Sequence, residues 1–325
     1  MDIVRYFGDR LLHREYRQFL GDVRQRLLFD RLLGIYNPVF PFRQMSALAL
    51  GLIAAVMWSV HDVCVRFVSQ KAPLMAALLT VLLVGTLFHL IVMSLQQSAI
   101  FPHRSVIGVS VLSGVLFLMA SLGLYGAFQR GPVKLVSPII ASFPILSLAW
   151  AAWLGANISA LQWGAVLLII LGVSLVAALS DHNQEQVPPA GKTIAYSVMA
   201  ACGFAGTFAF GQMASVQSGE LPVTLVTRCV AIALLVTGMI TVKQTLWPGV
   251  AALPLLMVMG VADGIALLMI NSAAHQPDAQ YASVASSMFG LLTIVFAWLF
   301  LKERLTSLQW FGCLIAFAGV GYLAL

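Results

Sequence analysis

The sequence predicts an all-α polytopic membrane protein: ten transmembrane helices arranged as two inverted five-helix repeats, preceded by an amphipathic N-terminal helix. Three observations carry that expectation. The 325 residues are 60% hydrophobic and only 9% charged, with a mean hydropathy of +0.94, whereas a soluble domain carries roughly 25% charged residues. Apolar runs of spanning length, about 20 residues each, recur along the whole chain after the first 44 positions. And the passage AWLGANISALQWGA at 152–165 returns as LFLKERLTSLQWFG at 299–312.

The first 44 residues differ in kind from the rest. Arg5, Arg10, Arg14, Arg17, Arg24, Arg26, Arg31 and Arg43 stand there against five acids, and apolar residues from Val4 to Leu27 keep helical spacing. The pattern suits an amphipathic helix on an anionic membrane surface, and equally a solvated basic tail. Pro38 and Pro41 would end it and turn the chain into the first span. No small-residue cleavage site follows a short apolar run, so a signal peptide is not expected.

The spans fall near 45–68, 73–95, 105–129, 132–154, 160–180, 192–217, 221–242, 249–275, 279–301 and 306–325. Barrel-type alternation is absent, which leaves helices as the way to satisfy the backbone in lipid. The polar stretch DHNQEQVPPAGK divides the chain. The expected organisation is therefore a basic segment at 1–44, a first half at 45–180, a linker at 181–191 and a second half at 192–325. Cys64, Cys202, Cys229 and Cys313 each sit alone in an apolar run and are expected to act as small hydrophobes in helix interfaces.

The echo between the halves extends along all five spans. With a shift of 147, Leu161, Gln162, Trp163 and Gly172 fall on Leu308, Gln309, Trp310 and Gly319; with a shift of 146, Gly114, Ala127, Ser137 and Phe143 fall on Gly260, Ala273, Ser283 and Phe289. Trp58 likewise meets Phe204. Five spans is an odd number, so the second half must enter the membrane from the opposite face. In proteins built this way the substrate site usually lies near the midplane, where the halves meet.

Trp58 in the first span, the run SPIIASFPILSLAWAAW in the fourth, and the closing LKERLTSLQWFGCLIAFAGVGYL with Glu303, Gln309, Gly312 and Gly319 resemble the EamA-type transporters of the drug/metabolite transporter superfamily. The resemblance covers about residues 45–325. It implies ten helices, cytoplasmic ends and export of amino acids or other small metabolites. Members often carry the glutamate in both halves, and here Gly155, Ala156 and Asn157 replace the first charged stretch. Lys and Arg counts give nine on the inner side against eight outside for an N-inside chain, a weak bias. The basic front beside anionic cytoplasmic lipid favours the same orientation, in what is expected to be a bacterial inner membrane.

An ionisable residue in hydrocarbon costs about 2.5–3.5 kcal/mol on insertion scales and needs a partner or a wet cavity, so the few such residues are the candidates. Trp58, Asp62 and Arg66 stand at four-residue steps on one stripe of the first span, with His61 beside them. Asp62 and Arg66 either neutralise each other or form a cavity wall. In that second case Trp58 stacks on a ligand, Arg66 attracts an anionic group, and Asp62 or His61 takes a proton. Asp263, the deepest acid, either pairs with Arg228 of the seventh span or serves substrate or proton. Asn271, Tyr125 and Thr207 complete a plausible polar lining, while His89 and His275 lie by number near span ends.

No metalloprotease, nucleophile-elbow or phosphate-loop motif is present, so neither an enzyme nor an ATP-driven pump is expected. The reading is a secondary transporter, an exporter of a small polar or amphipathic metabolite such as an amino acid. Its alternatives are a flippase for a lipid or lipid-linked sugar, and a non-transporting membrane subunit or receptor. The expected partners are the metabolite, the lipid bilayer, a proton as candidate coupling ion and a second copy of the chain. Neither a cofactor nor nucleic acid is expected.

Overall fold

A computed structural model of the protein describes residues 45–68, 72–130, 136, 139–178, 190–301 and 306–323. The expected amphipathic front, residues 181–189 of the linker and the Lys302–Glu303–Arg304 triplet lie outside the described residues. All regular structure among the described residues is helical. The first half supplies α1 (Ala47–Val68), α2 (Leu74–Gln96), α3 (Ile107–Arg130), α4 (Phe143–Trp153) and α5 (Ala160–Ala178). The second supplies α6 (Ala190–Ser218), α7 (Glu220–Thr241), α8 (Leu253–Ser272), α9 (Gln280–Ser286), α10 (Phe289–Leu301) and α11 (Ser307–Leu323).

Six helices among the described residues are long and apolar enough to cross a membrane, and Ile139–Trp153, Ala160–Gly172 and Ser307–Gly319 are shorter apolar helices. Outward faces carry exposed leucines, such as Leu83, Leu87 and Leu90 on α2 and Leu167, Leu168 and Leu171 on α5. So much contiguous apolar surface suits lipid rather than water, and the chain is an integral, multi-pass membrane protein.

The sequence suggests one continuous span at 279–301, but two helices, α9 and α10, share it. Ser286 and Ser287 donate their hydroxyls back to the Ser283 and Val284 carbonyls at 2.8 and 2.7 Å. The Ser287 and Met288 amides then bond three residues back rather than four, which tightens and bends the helix before Phe289. Its counterpart in the first half bends just before Phe143. There Ser142 donates to the Ile139 carbonyl at 2.7 Å, and Pro144 lacks an amide to continue the ladder.

The echo read from the sequence recurs in backbone detail. Ser159 and Gln162 form a reciprocal capping box at the start of α5, with the Ser159 amide donating to Gln162 Oε1 at 2.8 Å and the Gln162 amide to Ser159 Oγ at 3.2 Å. Thr306 and Gln309 repeat it before α11, at 2.8 and 3.3 Å. The Gln of each Leu-Gln-Trp triplet is thus a helix-start device. At the far ends of α2 and α7, Gln97 and Lys243 both take positive φ, 52° and 54°, and close the same left-handed terminal turn.

Packing is chiefly between halves. α3 lies against α6 and α1 against α8; α2 meets α8 as α3 meets α7; α1 meets α9 and α10 as α4 meets α6; α2 meets α7, and α5 meets α11. Exchanging the halves turns each pairing into another of the set or into itself. Small residues permit the approach. A Cβ on Gly114 would lie 2.7 Å from Val230 Cβ, and one on Gly260, 146 positions later, 2.6 Å from Val84 Cβ. Cys64 and Cys313 are buried in these interfaces, whereas Cys202 and Cys229 are exposed. The expectation of four interface cysteines is corrected for those two, whose positions on α6 and α7 face outward.

A Cβ on Gly203 of α6 would lie 2.7 Å from the Ala120 amide nitrogen of α3, a backbone atom that cannot step aside. Gly203→Ala is expected to destabilise the protein by about 1–3 kcal/mol, read as a lower melting temperature of the purified protein in detergent. Gly164→Ala, where a Cβ meets nothing within 4 Å, should leave that temperature unchanged.

Candidate functional site

A cavity of about 30 Å³ lies at the junction of the halves. Trp58, His61 and Asp62 of α1 face it, with Leu78, Val81 and Leu82 of α2 and Phe117, Ser121, Leu124 and Tyr125 of α3. The second half answers with Phe204 and Phe208 of α6 and Asp263 of α8. Phe143 and Phe289, the residues that open α4 and α10 just past the two bends, close the lining. Apolar and aromatic walls with a few convergent polar groups are the usual make-up of a small-molecule site.

The aromatic wall is ordered. Trp58 stacks on Phe208 with ring centroids 5.4 Å apart and planes 21° off parallel, and Phe208 stacks in turn on Phe204. Phe143 meets Phe208 edge-on at 5.5 Å. These geometries fix rings that would otherwise rotate.

Two polar groups of different character meet this wall. Asp263 Oδ2 accepts from Arg228 Nη2 at 2.6 Å and its Oδ1 accepts from Trp58 Nε1 at 3.1 Å. Both carboxylate oxygens are therefore engaged, and one residue ties α8 to α7 and α1. Arg228 is wholly buried behind the cavity rather than on its lining. Its guanidinium carbon lies 5.6 Å from the Phe117 ring centroid, a cation–π contact. On another side it rests on Gly85, where a Cβ would fall 2.7 Å from the guanidinium carbon. The second group is His61, whose Nδ1 is 3.1 Å from Asp62 Oδ1 and whose Nε2 is 3.1 Å from Tyr125 Oη.

Of the residues expected from sequence to line a path, Trp58, His61, Asp62, Tyr125 and Asp263 share this cavity. Arg228 reaches it through Asp263. Asn271 lies apart from the lining and donates from Nδ2 to Thr224 Oγ1 at 2.8 Å. Thr207 turns its hydroxyl back to the Gly203 carbonyl. The Arg66 side chain lies outside the described residues. His89, near a span end by number, is fully buried and meets Phe88 edge-on at 5.4 Å. His275 places Nε2 3.3 Å from Glu220 Oε2. Phe117, Phe143, Phe204, Phe208 and Phe289 were not among the candidates. The signal for three of them was available, since Phe204, Phe208 and Phe117 are the repeat partners of the candidates Trp58, Asp62 and Asp263.

Removing one partner of a buried ion pair strands the other charge, at about 3–5 kcal/mol, whereas replacing both by apolar residues of similar size is often tolerated. Asp263→Leu alone is expected to lower the melting temperature sharply. Combining it with Arg228→Met should recover most of the loss, measured by thermal unfolding of the purified variants.

A solved crystal structure shares this fold, with a TM-score of 0.71 at 14% identity over 84% of this chain and 94% of that one. An uncharacterized protein of Methanocaldococcus jannaschii is 28% identical over 133 residues, 41% of this chain and 96% of its own length. A protein of Latilactobacillus sakei named for ribose uptake is 26% identical over 181 residues, 53% of this chain; the chain spans 60% of that relative's length. The EamA-like transporter family matches residues 45–178 and again residues 191–325. The chain carries that repeat twice, around one shared cavity, and it belongs to the EamA-like transporter family.

Proposed function

We propose that the protein is a secondary transporter that exports a small amphipathic metabolite, an amino acid or a related compound, by alternating access between its two halves. The observation that carries this reading is the placement of the cavity. Its walls come from α1, α2, α3 and α4 on one side and from α6, α8 and α10 on the other, so a tilt of one half against the other would open it towards one face or the other. In this reading each half crosses five times, with α9 and α10 counted as one bent crossing. The halves, 45–180 and 192–325, are then inverted, and both chain ends lie on the cytoplasmic side of a bacterial inner membrane. Protons are the candidate coupling ion, carried by His61 and Asp62.

The relative named for ribose uptake raises a second reading, a sugar moving inward. The lining favours an amphipathic substrate over it. A sugar presents hydroxyls all round, each needing a partner when desolvated. Here Asp263 has both oxygens engaged, Ser121 donates to its own helix at the Phe117 carbonyl, and most of the remaining wall is aromatic or aliphatic.

A thermal-shift screen of metabolites on the purified protein at two pH values tests the reading, followed by counterflow of any ligand found in proteoliposomes. A ligand is expected to raise the melting temperature and to exchange across the vesicle membrane. Ser121→Leu projects bulk into the cavity without removing an engaged charge. It should weaken that ligand at least about tenfold, or about 1.4 kcal/mol, while leaving the ligand-free melting temperature near that of the parent. A Ser121→Leu variant that binds and exchanges the ligand as the parent does would place the substrate elsewhere.

A further inference from the structure

The connection of residues 97–106, between α2 and α3, and that of residues 243–252, between α7 and α8, stand 146 positions apart and are built alike. Each opens on a left-handed residue, Gln97 or Lys243. The next amide, of Ser98 or Gln244, reaches back to the carbonyl of Met93 or Met239 at 3.1 and 2.9 Å. Each closes on a single tight turn, in which the Val106 amide meets the His103 carbonyl and the Ala252 amide meets the Gly249 carbonyl. Between these fixed ends, Ile100, Phe101 and Pro102 fall on Leu246, Trp247 and Pro248. Both prolines are buried, and the two residues before each are exposed. Phe101 is 77% exposed and Trp247 58%. The first loop is also tied to the end of α6, where the His103 amide donates to Ser218 Oγ at 2.8 Å.

Other turns of the chain show different tips. The turn after α4 exposes Gly155 and Asn157, and the turn after α8 exposes Pro277 and Asp278, residues that suit water. The paired tips instead present one aliphatic and one aromatic side chain each, with a cation close in sequence, Arg104 or Lys243, and no acid in either loop. Exposed apolar groups held in a fixed shape mark a surface that something other than water covers. Helix length says what that is. α2 has 23 residues and α7 has 22, about 35 and 33 Å at 1.5 Å per residue, against a hydrocarbon core of about 30 Å. The chain therefore turns just beyond the hydrocarbon, in the headgroup layer, where aromatic rings are enriched. We propose that the two tips are interfacial anchors: Phe101 with Ile100, and Trp247 with Leu246, insert among the lipid headgroups, while Arg104 and Lys243 meet lipid phosphates. Anchors of this kind set the tilt and rotation of the helices that carry them. Here those helices include α3 and α8, which bring Tyr125 and Asp263 to the cavity. That the two tips meet opposite faces of the membrane rests on the inverted arrangement of the transport reading above.

The test uses the full-length protein in vesicles of phosphatidylethanolamine and phosphatidylglycerol. Subtracting the fluorescence of a Trp247→Phe variant from that of the parent isolates the Trp247 signal. Lipid brominated near the headgroup is expected to quench it at least about twofold more than lipid brominated near the chain ends, and acrylamide in the water should quench it only weakly. Phe101→Trp, added to Trp247→Phe, should report the same depth. Quenching chiefly by acrylamide means a solvated loop, quenching chiefly by the deep bromines means a tip in hydrocarbon, and quenching by neither means a tip covered by protein such as a second copy. Each of these three results overturns the anchors and leaves the transport reading standing. Sidedness is read separately. With the four native cysteines replaced by alanine, Ser98→Cys and Gln244→Cys are each probed with a membrane-impermeant maleimide in sealed, uniformly oriented vesicles. One is expected to react from outside and the other only after the vesicles are opened. Reaction of both from one side overturns the opposite-face placement and the inverted reading with it, whatever the depth measurement gives.

Discussion

Asp263 is the group on which the arrangement turns. A single carboxylate in the middle of α8 holds Arg228 of α7 with one oxygen and Trp58 of α1 with the other. Neither the acid nor the guanidinium is tolerable alone in hydrocarbon, so α7 and α8 must bring them together. The indole, once engaged, fixes the plane on which Phe208 and then Phe204 stack. The order of the aromatic wall therefore descends from an ion pair that lies mostly behind it. Buried ion pairs of this kind contribute more to a unique geometry than to net stability, and geometry is what a binding cavity needs.

The halves match closely in backbone and differ in chemistry at the cavity. Capping boxes, terminal turns and glycine contacts recur 146 or 147 positions apart. Moved by the same 146 positions, Asp62 falls on Phe208, Phe117 on Asp263, and Leu82 on Arg228. In each of these three pairs one half brings a charge and the other an apolar side chain. Packing rules constrain the first kind of position and leave the second free, so one ancestral scaffold can hold a site that is not symmetric. The Gly155–Ala156–Asn157 and Lys302–Glu303–Arg304 stretches differ in sequence, while the helix start that follows each uses the same capping box.

Much of this was legible in the sequence, for identifiable reasons. Membrane class, the helical character of the long apolar runs and the repeat follow from composition and periodicity, which lipid constrains strongly. The Arg228–Asp263 pair was legible because two lone opposite charges in adjacent spans have few other partners. The Trp58–Asp263 and His61–Tyr125 bonds were not, because they depend on which helices of opposite halves cross and at what height. The bends before Phe143 and Phe289 were hidden for a different reason. Hydropathy sees an unbroken apolar run, while the cause is serine hydroxyls bonding back to nearby carbonyls. Asn271 and Thr207 sat at sensible positions on the span, yet Asn271 bonds across to Thr224 of α7 and Thr207 to the Gly203 carbonyl of its own helix, so neither joins the cavity.

The interleaving of the halves also bears on how the chain is made. The bond between Trp58 and Asp263 joins residues 205 positions apart. At roughly 5–20 residues per second, a ribosome takes on the order of 10–40 s to go from one to the other. Throughout that interval the α8 partner of Trp58 is not yet synthesised. The Tyr125 partner of His61, on α3, is made well before the α8 partner of Trp58. Assembly of the site is in this sense a late event in biosynthesis, and a chain released after α5 would carry only the α1–α4 walls of the cavity.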